Sequence, residues 1–398
     1  MNARACVLLI LVTGCCNSLN AQYANNAIPY FTYGRGMGII SPDSLFLLNI
    51  RFRIQNRLGL QSVSESNLDI SQVEARVRRL RLRLDGYVYS PKLTYVLQLS
   101  FSRADMDFDD TGFPNIVRDA FVVYNVSPHF AVGLGQTKLP GNRQRVISSG
   151  DLQLPDRSIV NARFNIDRDF GLQLYYNNHV GNCYFLLRGA ISSGEGRNIV
   201  ASDRGLAYTG RLEVYPLGQF AANGDYFEGD LLREPKPRIS FGLSYSANYN
   251  TLRTGGQLGK LLYEPRDITT GMFDVLFKHR GWALAVEYLQ RSSVNPVTSD
   301  TSGNIRYVYY GYGHNIQLSR LFPSNFEIVA RYSEVMPHTE IQLYEPHTRQ
   351  YTVGGNYYLR GHRVKLQTDL TFEDNTWVLN YYPNRQNWQL RFQVEIGI

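Results

Sequence analysis

Residues 76–89 read RVRRLRLRLDGYVY, and within them Arg79, Arg81 and Arg83 alternate with Leu80, Leu82 and Leu84. Alternation at period two makes a β-strand with one guanidinium face and one leucine face. A row of like charges repels itself and is stable only against water or anions. The chemistry on offer is therefore anion binding. Arg51 and Arg53 alternate in the same way with Phe52 and Ile54, Arg391 lies on the last alternating segment, and Arg363 and Lys365 lie on the one before it. Arginine outnumbers lysine 35 to 6, a skew that repeated contact with flat or bidentate anions would favour.

Catalysis finds no such support. The seven histidines, at 129, 179, 279, 314, 338, 347 and 362, are scattered, and no HExxH, GxSxG or phosphate-cradling glycine loop is present. A barrel hydrolase would need a Ser/His pair with an orienting partner near one rim. No catalytic residue, metal ligand or cofactor is expected. The basic pI of about 9.1 does not indicate nucleic acid either, because the arginines alternate with leucine on strands and no helix is available to enter a groove.

The elements that must carry these side chains are strands almost from end to end. Alternating segments occur at 45–57, 76–89, 92–102, 116–127, 129–138, 168–178, 182–192, 206–216, 238–249, 267–279, 281–292, 306–320, 325–335, 348–360, 362–373 and 388–398, sixteen in all. Connections alternate between short turns, such as Ser90-Pro91-Lys92 and Arg280-Gly281, and longer loops rich in Gly, Asp, Asn and Ser. An even strand count with short turns at one end and long loops at the other predicts an all-β fold, a transmembrane antiparallel β-barrel. Mean hydropathy of −0.28 does not oppose this, since the two faces of an alternating strand cancel in an average. The competing arrangement is a two-sheet sandwich, which would have to bury ten or more apolar faces in one core. In the barrel those faces meet lipid and no strand edge is left open. Tyr87, Tyr89, Tyr245, Tyr249, Tyr357, Tyr381 and Tyr382 at strand ends suit interfacial girdles.

The N-terminus reads as a secretion signal over 1–21: Arg4, the apolar run Ala5 to Val12, and a small-residue cleavage site at Leu19-Asn20-Ala21. Val12-Thr13-Gly14-Cys15 offers an alternative lipoprotein cut that would lipidate Cys15. After the ordinary cut only Cys183 remains of four cysteines, so no intramolecular disulfide can form. The domain reading is a periplasmic N-terminal segment over 22–42 and an outer-membrane barrel over 43–398. Residues 217–237, long for the short-turn side, read as a periplasmic link covering an edge.

Sixteen closed strands leave an aqueous bore. Arg51, Arg53, Arg79, Arg81, Arg83, Arg391, Arg363 and Lys365 would line it, diluted by Asp85, Glu287, Asp369 and Glu395 on the same parity. The longest loop, over 139–167, carries enough apolar residues to pack and is expected to fold inward as a constriction, with Lys138, Arg143, Arg145, Arg157, Arg163 and Arg168 in or beside it. An extracellular flap is the alternative for that loop, and a mixed-charge wall that merely holds water is the alternative for the bore.

Four segments resemble one family, the phosphate-selective porin O and P proteins: GMGIISPDSLFLLNIRFRIQNR, the arginine strand, the loop containing LPGNRQR and SSGDLQLPDRS, and GDYFEGDLLREPKP. The resemblance implies a sixteen-stranded homotrimeric outer-membrane barrel in bacteria with an inward loop. It places an arginine ladder at Arg51, Arg53, Arg79, Arg81 and Arg83, and a constriction at Lys138, Arg143, Arg145 and Arg157. Phosphate-specific members resemble lysine-rich funnels, and the six scattered lysines here point to a broader porin for small anions or other hydrophilic solutes. A barrel scaffold, adhesin or secretion-associated protein is the alternative from another class. Its partners would be proteins, where the porin's are solutes and outer-membrane lipid.

Overall fold

The computed structural model describes residues 28–32, 36–105, 115–199, 205–378, 383 and 385–398. The expected leader, Cys15, Tyr381 and Tyr382 lie outside them. Among the described residues, β1 (Ile28–Thr32) and β2 (Gly36–Ile40) form a hairpin. Next come β3 (Phe46–Ser62), β4 (Ile70–Val88), β5 (Ser90–Ser100), β6 (Val117–Asn125), β7 (Phe130–Lys138), β8 (Arg168–Val180), β9 (Cys183–Ser192) and β10 (Ala207–Tyr215). After these come β11 (Arg238–Arg253), β12 (Leu261–His279), β13 (Trp282–Ser293) and a small hairpin of β14 (Val297–Ser299) with β15 (Ile305–Tyr307). The chain continues through β16 (Gly311–Leu321), β17 (Phe326–Pro337), β18 (His347–Arg360), β19 (Val364–Thr376) and β20 (Arg385–Gly397).

Without the two small hairpins, sixteen strands pair antiparallel in sequence order, and β20 returns to β3 with Gln389 opposite Gln61 and Gly397 opposite Arg53. The sheet is a closed barrel, as the alternation predicts. On β3 beyond the end of β20, β2 takes up the pairing, from Met37 opposite Ile50 to Ile40 opposite Leu47.

The faces are inverted relative to a water-soluble sandwich. Leu58, Leu243 and Ile396 are 58%, 59% and 49% exposed, while Gln55, Ser240 and Gln393 on the opposite parity are 0%, 0% and 1% exposed. Apolar side chains thus point outward and polar ones inward, which is stable only if the outer surface meets hydrocarbon. Tyr332, Tyr351, Phe372 and Trp388 face one another across β17 to β20 as an unbroken outer row, with successive ring centroids 5.0, 6.4 and 4.9 Å apart. Amphipathic rings in such a belt suit a membrane–water boundary.

Several boundaries differ from the sequence reading, among them the starts of β12 at Leu261 and of β20 at Arg385. The first two barrel strands run longer than 45–57 and 76–89, because Leu58 and Leu60 keep the outward parity and the pairing continues to Ser62 opposite Ile70. The expected strand at 306–320 is broken: Ile305–Tyr307 pairs with Val297–Ser299, and the barrel strand starts at Gly311, whose φ of 146° departs from strand geometry.

Two segments fill the interior. Residues 139–167 enter from the long-loop end and carry α1 (Arg143–Val146) and α2 (Ile159–Phe164), the latter capped by Ser158 Oγ accepting from the Asn161 amide at 3.1 Å. Leu139, Val160, Phe164 and Ile166 pack on Ala190, Met272, Leu289 and Val335 of the inner wall. Residues 217–237 enter from the short-turn end. In a closed barrel there is no edge for this segment to cover, and it packs inside instead.

Candidate functional site

β3 and β4 place arginine against arginine. Arg51 stands opposite Arg83, Arg53 opposite Arg81, and Gln55 opposite Arg79. Beyond Gln55 the register slips, leaving Arg78 as the extra residue of a β-bulge, so that both Arg78 and Arg79 reach inward. Arg57 continues the inward parity. Like charges packed this closely need counter-ions, and loops and neighbouring strands supply them.

One carboxylate from the inserted loop holds four arginines. Asp156 pairs with Arg57, lies 3.0 Å from Arg78, 3.6 Å from Arg79 and 3.4 Å from Arg391, and its backbone carbonyl accepts from Arg331 at 2.9 Å. Asp105 pairs with Arg81 at 2.7 Å and Arg118 at 2.9 Å. Asp85 takes Arg51 and, at 3.0 Å, Arg83. Asp369 takes Arg391 at 2.6 Å. Glu395 lies 3.4 Å from Lys365 and 3.8 Å from Arg53. The fourth acid of that parity, Glu287, accepts from Asn142 and the Gln144 amide of the loop. Arg79 and Arg81, expected to project into open water, are mostly buried beneath these partners. Period two gives the face of a strand but not the loop that will cover it.

The loop's tip, Ser148-Ser149-Gly150-Asp151, is latched to this wall. Ser149 Oγ accepts from Arg81 at 2.7 Å and Arg53 at 3.0 Å, and Ser148 Oγ accepts from Arg53 at 3.2 Å. Lys365 Nζ donates to the carbonyls of Gly150 at 3.0 Å and Leu152 at 2.6 Å. A side chain at 150 would displace the Arg53 guanidinium, since its Cβ would fall 1.7 Å from Arg53 Nη1.

The opposite flank of the loop is fixed by a fully buried ion network. Arg143 lies 3.3 Å from Glu213 and 3.1 Å from Asp274, and Arg211 lies 2.6 and 2.7 Å from the same two acids. The other expected loop cations divide by role. Lys138 Nζ donates to the carbonyls of Val146 and Ile147 at 3.0 and 3.1 Å. Arg145 pairs with Asp167, Arg168 with Asp119 at 2.9 Å, and Arg157 donates to the Ile147 carbonyl at 2.8 Å. Arg163 sits apart, 2.6 Å from Glu345 and over the Tyr309 ring.

Between loop and wall is a cavity of about 910 Å³, lined by twelve arginines and Lys138 against five aspartates. A second cavity of about 170 Å³, lined partly by Arg51, Arg53, Arg363 and Ile398, lies toward the short-turn end. Arg81, Arg83, Gln98, Ser148 and Asp151 line both, and so form the neck between them. Asp151 makes no ion pair among the described residues. Sequence reasoning named the ladder but missed Arg57, Arg118 and Arg331, which strand parity could have found, and Arg78, which the bulge conceals. It also missed Asp105, Asp151 and Asp156, for which no local pattern exists.

Burial pushes the Asp156 carboxyl up, but Arg78, Arg57, Arg391 and Arg79 outweigh burial and hold it below the usual carboxylate range. Burial likewise opposes, and Arg81 and Arg118 prevail, at Asp105. Values depressed on folding mean that these pairs stabilise the native state above about pH 4 and are lost only as pH falls further. Asp156 and Asp105 should therefore stay ionised, and their pairs with the arginines intact, from pH 7 to about pH 4.5. An infrared carboxyl band, present in the wild type and absent from Asp156→Asn, that titrates near pH 6 would contradict this.

The family model for phosphate-selective porin O and P matches residues 48–250. An uncharacterized protein of Aquifex aeolicus (strain VF5) is 23% identical over 365 residues, covering 82% of this chain and 83% of that protein. Salmonella typhi OmpF, solved in complex with daunomycin, superposes with a TM-score of 0.54 at 12% identity over 90% of this chain and 99% of its own. The outer membrane channel DcaP of Acinetobacter baumannii gives 0.50 at 11% identity over 88% and 97%. Identities this low speak for the fold alone.

Proposed function

This chain belongs to the phosphate-selective porin O and P family, and from that premise we propose that it is a passive outer-membrane diffusion porin for small hydrophilic solutes with a mild preference for anions. The observation that carries the preference is the neck, where Arg81 and Arg83 face the single carboxylate of Asp151 on the route between the two cavities. An anion entering it exchanges hydration for guanidinium donors, and rings of such groups raise its local concentration. The five aspartates keep the cavity from becoming a trap, because conduction needs binding weak enough to release. No proton transfer or cofactor enters this scheme.

On this reading residues 139–167 are the constriction, the short turns face the periplasm and the long loops face outward. Arg51, Arg53, Arg79, Arg81, Arg83, Arg363, Arg391 and Lys365 form the charged wall, with Lys365, like Lys138 and Arg143, holding the loop in place. The family resemblance further implies a homotrimer among outer-membrane lipids. The direct test is a reversal potential from single channels of purified protein under a KCl gradient. The expected sign is that of chloride permeation exceeding potassium permeation, and the opposite sign removes the anion preference while leaving a general pore.

A further inference from the structure

We propose that residues 217–237 are an internal strut that sets the position of the inserted loop, with Glu228 as the joint between them. The barrel end of the strut is fixed by Lys278, whose Nζ donates to the carbonyls of Gly224, Phe227 and Gly229 at 2.6, 2.8 and 2.5 Å. The Gly281 amide donates to Asp230 at 2.7 Å. Every contact of the Glu228 carboxylate comes from an N–H donor. The Gln153 amide lies at 2.8 Å, Gln144 Nε2 at 3.2 Å and Gln317 Nε2 at 3.1 Å, two on the loop and one on β16. The Glu228 amide in turn donates to the Asp151 carbonyl at 2.8 Å. The strut thus touches the backbone of a neck residue directly, and a buried acceptor matched to three donors cannot be exchanged without leaving them unpaired. Gly229 permits the turn that follows, with φ of 73° and a Cβ position only 2.8 Å from Glu327 Oε1.

Two readouts separate this inference from the channel reading on which its functional consequence rests. Hydrogen exchange of amides 144–153 in refolded protein reports the loop directly. Glu228→Ala should speed it by about tenfold while strand amides stay protected. Single-channel recording should show a larger, noisier conductance in the same variant. Glu228→Asp, which keeps two acceptor oxygens, should remain nearer to wild type than Glu228→Gln, which fits better by size but turns an amide N–H toward at least one of the three donors; a space-filling role predicts the reverse order. Should Glu228→Ala fail to fold, Lys278→Met tests the other end of the strut by the same measurements. Unchanged loop exchange, or a Gln variant that matches wild type, overturns the proposal. Loop exchange that responds in a protein conducting no ions overturns the channel and leaves the strut.

Discussion

Replacing Arg81 and Arg83 together by alanine should reverse the sign of the zero-current potential under a KCl gradient. The neck then passes from two cations and one acid to Asp151 alone, while Asp105 loses one of its two arginine partners and Asp85 keeps only Arg51. Each unit charge within about 5 Å of a passing ion is worth about 1–3 kcal/mol at the effective dielectric of a wet protein surface. Two such changes should move the anion-to-cation permeability ratio by more than about tenfold. Asp151→Asn is the opposing control. It should deepen anion preference, since among the described residues the carboxylate bears no ion pair whose loss would disturb the fold. A double-alanine channel with the wild-type potential would place selectivity elsewhere, in the larger cavity, where eleven cations would remain.

The second large effect is expected from Arg143→Ala. Removal leaves Glu213 and Asp274 fully buried with Arg211 as their common cation. Breaking one partner out of a buried ionic network costs about 3–5 kcal/mol. Much of that falls on the docking of α1, because the barrel wall keeps its own hydrogen bonds. The variant should keep its strand content yet pass larger sugars in a liposome-swelling assay and conduct several-fold more current. An unchanged size limit would mean that the apolar contacts of Leu139, Val160 and Phe164 hold the loop unaided.

Much of this architecture is legible in the sequence because a barrel strand states its two faces explicitly. Leu80, Leu82 and Leu84 against Arg79, Arg81 and Arg83 define inside and outside without any knowledge of neighbours, and short turns such as Arg280-Gly281 fix which strands are adjacent. Both residues of that turn have positive φ, the twist a two-residue hairpin requires. What stays hidden is everything non-periodic. Arg78 sits on the inner face only because the register slips opposite it. The carboxylate that gathers Arg57, Arg78, Arg79 and Arg391 is Asp156, about 75 residues downstream of Arg79 on a loop whose path depends on packing against four distant strands. The 217–237 segment reads as a periplasmic link only because it is long for the short-turn side, and nothing periodic shows that Asp225, Glu228, Asp230 and Glu234 are each buried against donors.

The seam between β3 and β20 has a bearing on biogenesis. Its hydrogen bonds join residues more than three hundred positions apart, as in Gln55 to Glu395. Contacts this remote form late, after the largest loop-closure entropy has been met. Until β20 arrives, one margin of β3 is an unpaired row of amides and carbonyls, open to any passing strand. The β1–β2 hairpin screens only the stretch from Leu47 to Ile50. While that margin is open the chain is prone to associate with other strands, and deleting residues 385–398 should yield aggregates instead of a narrower cylinder.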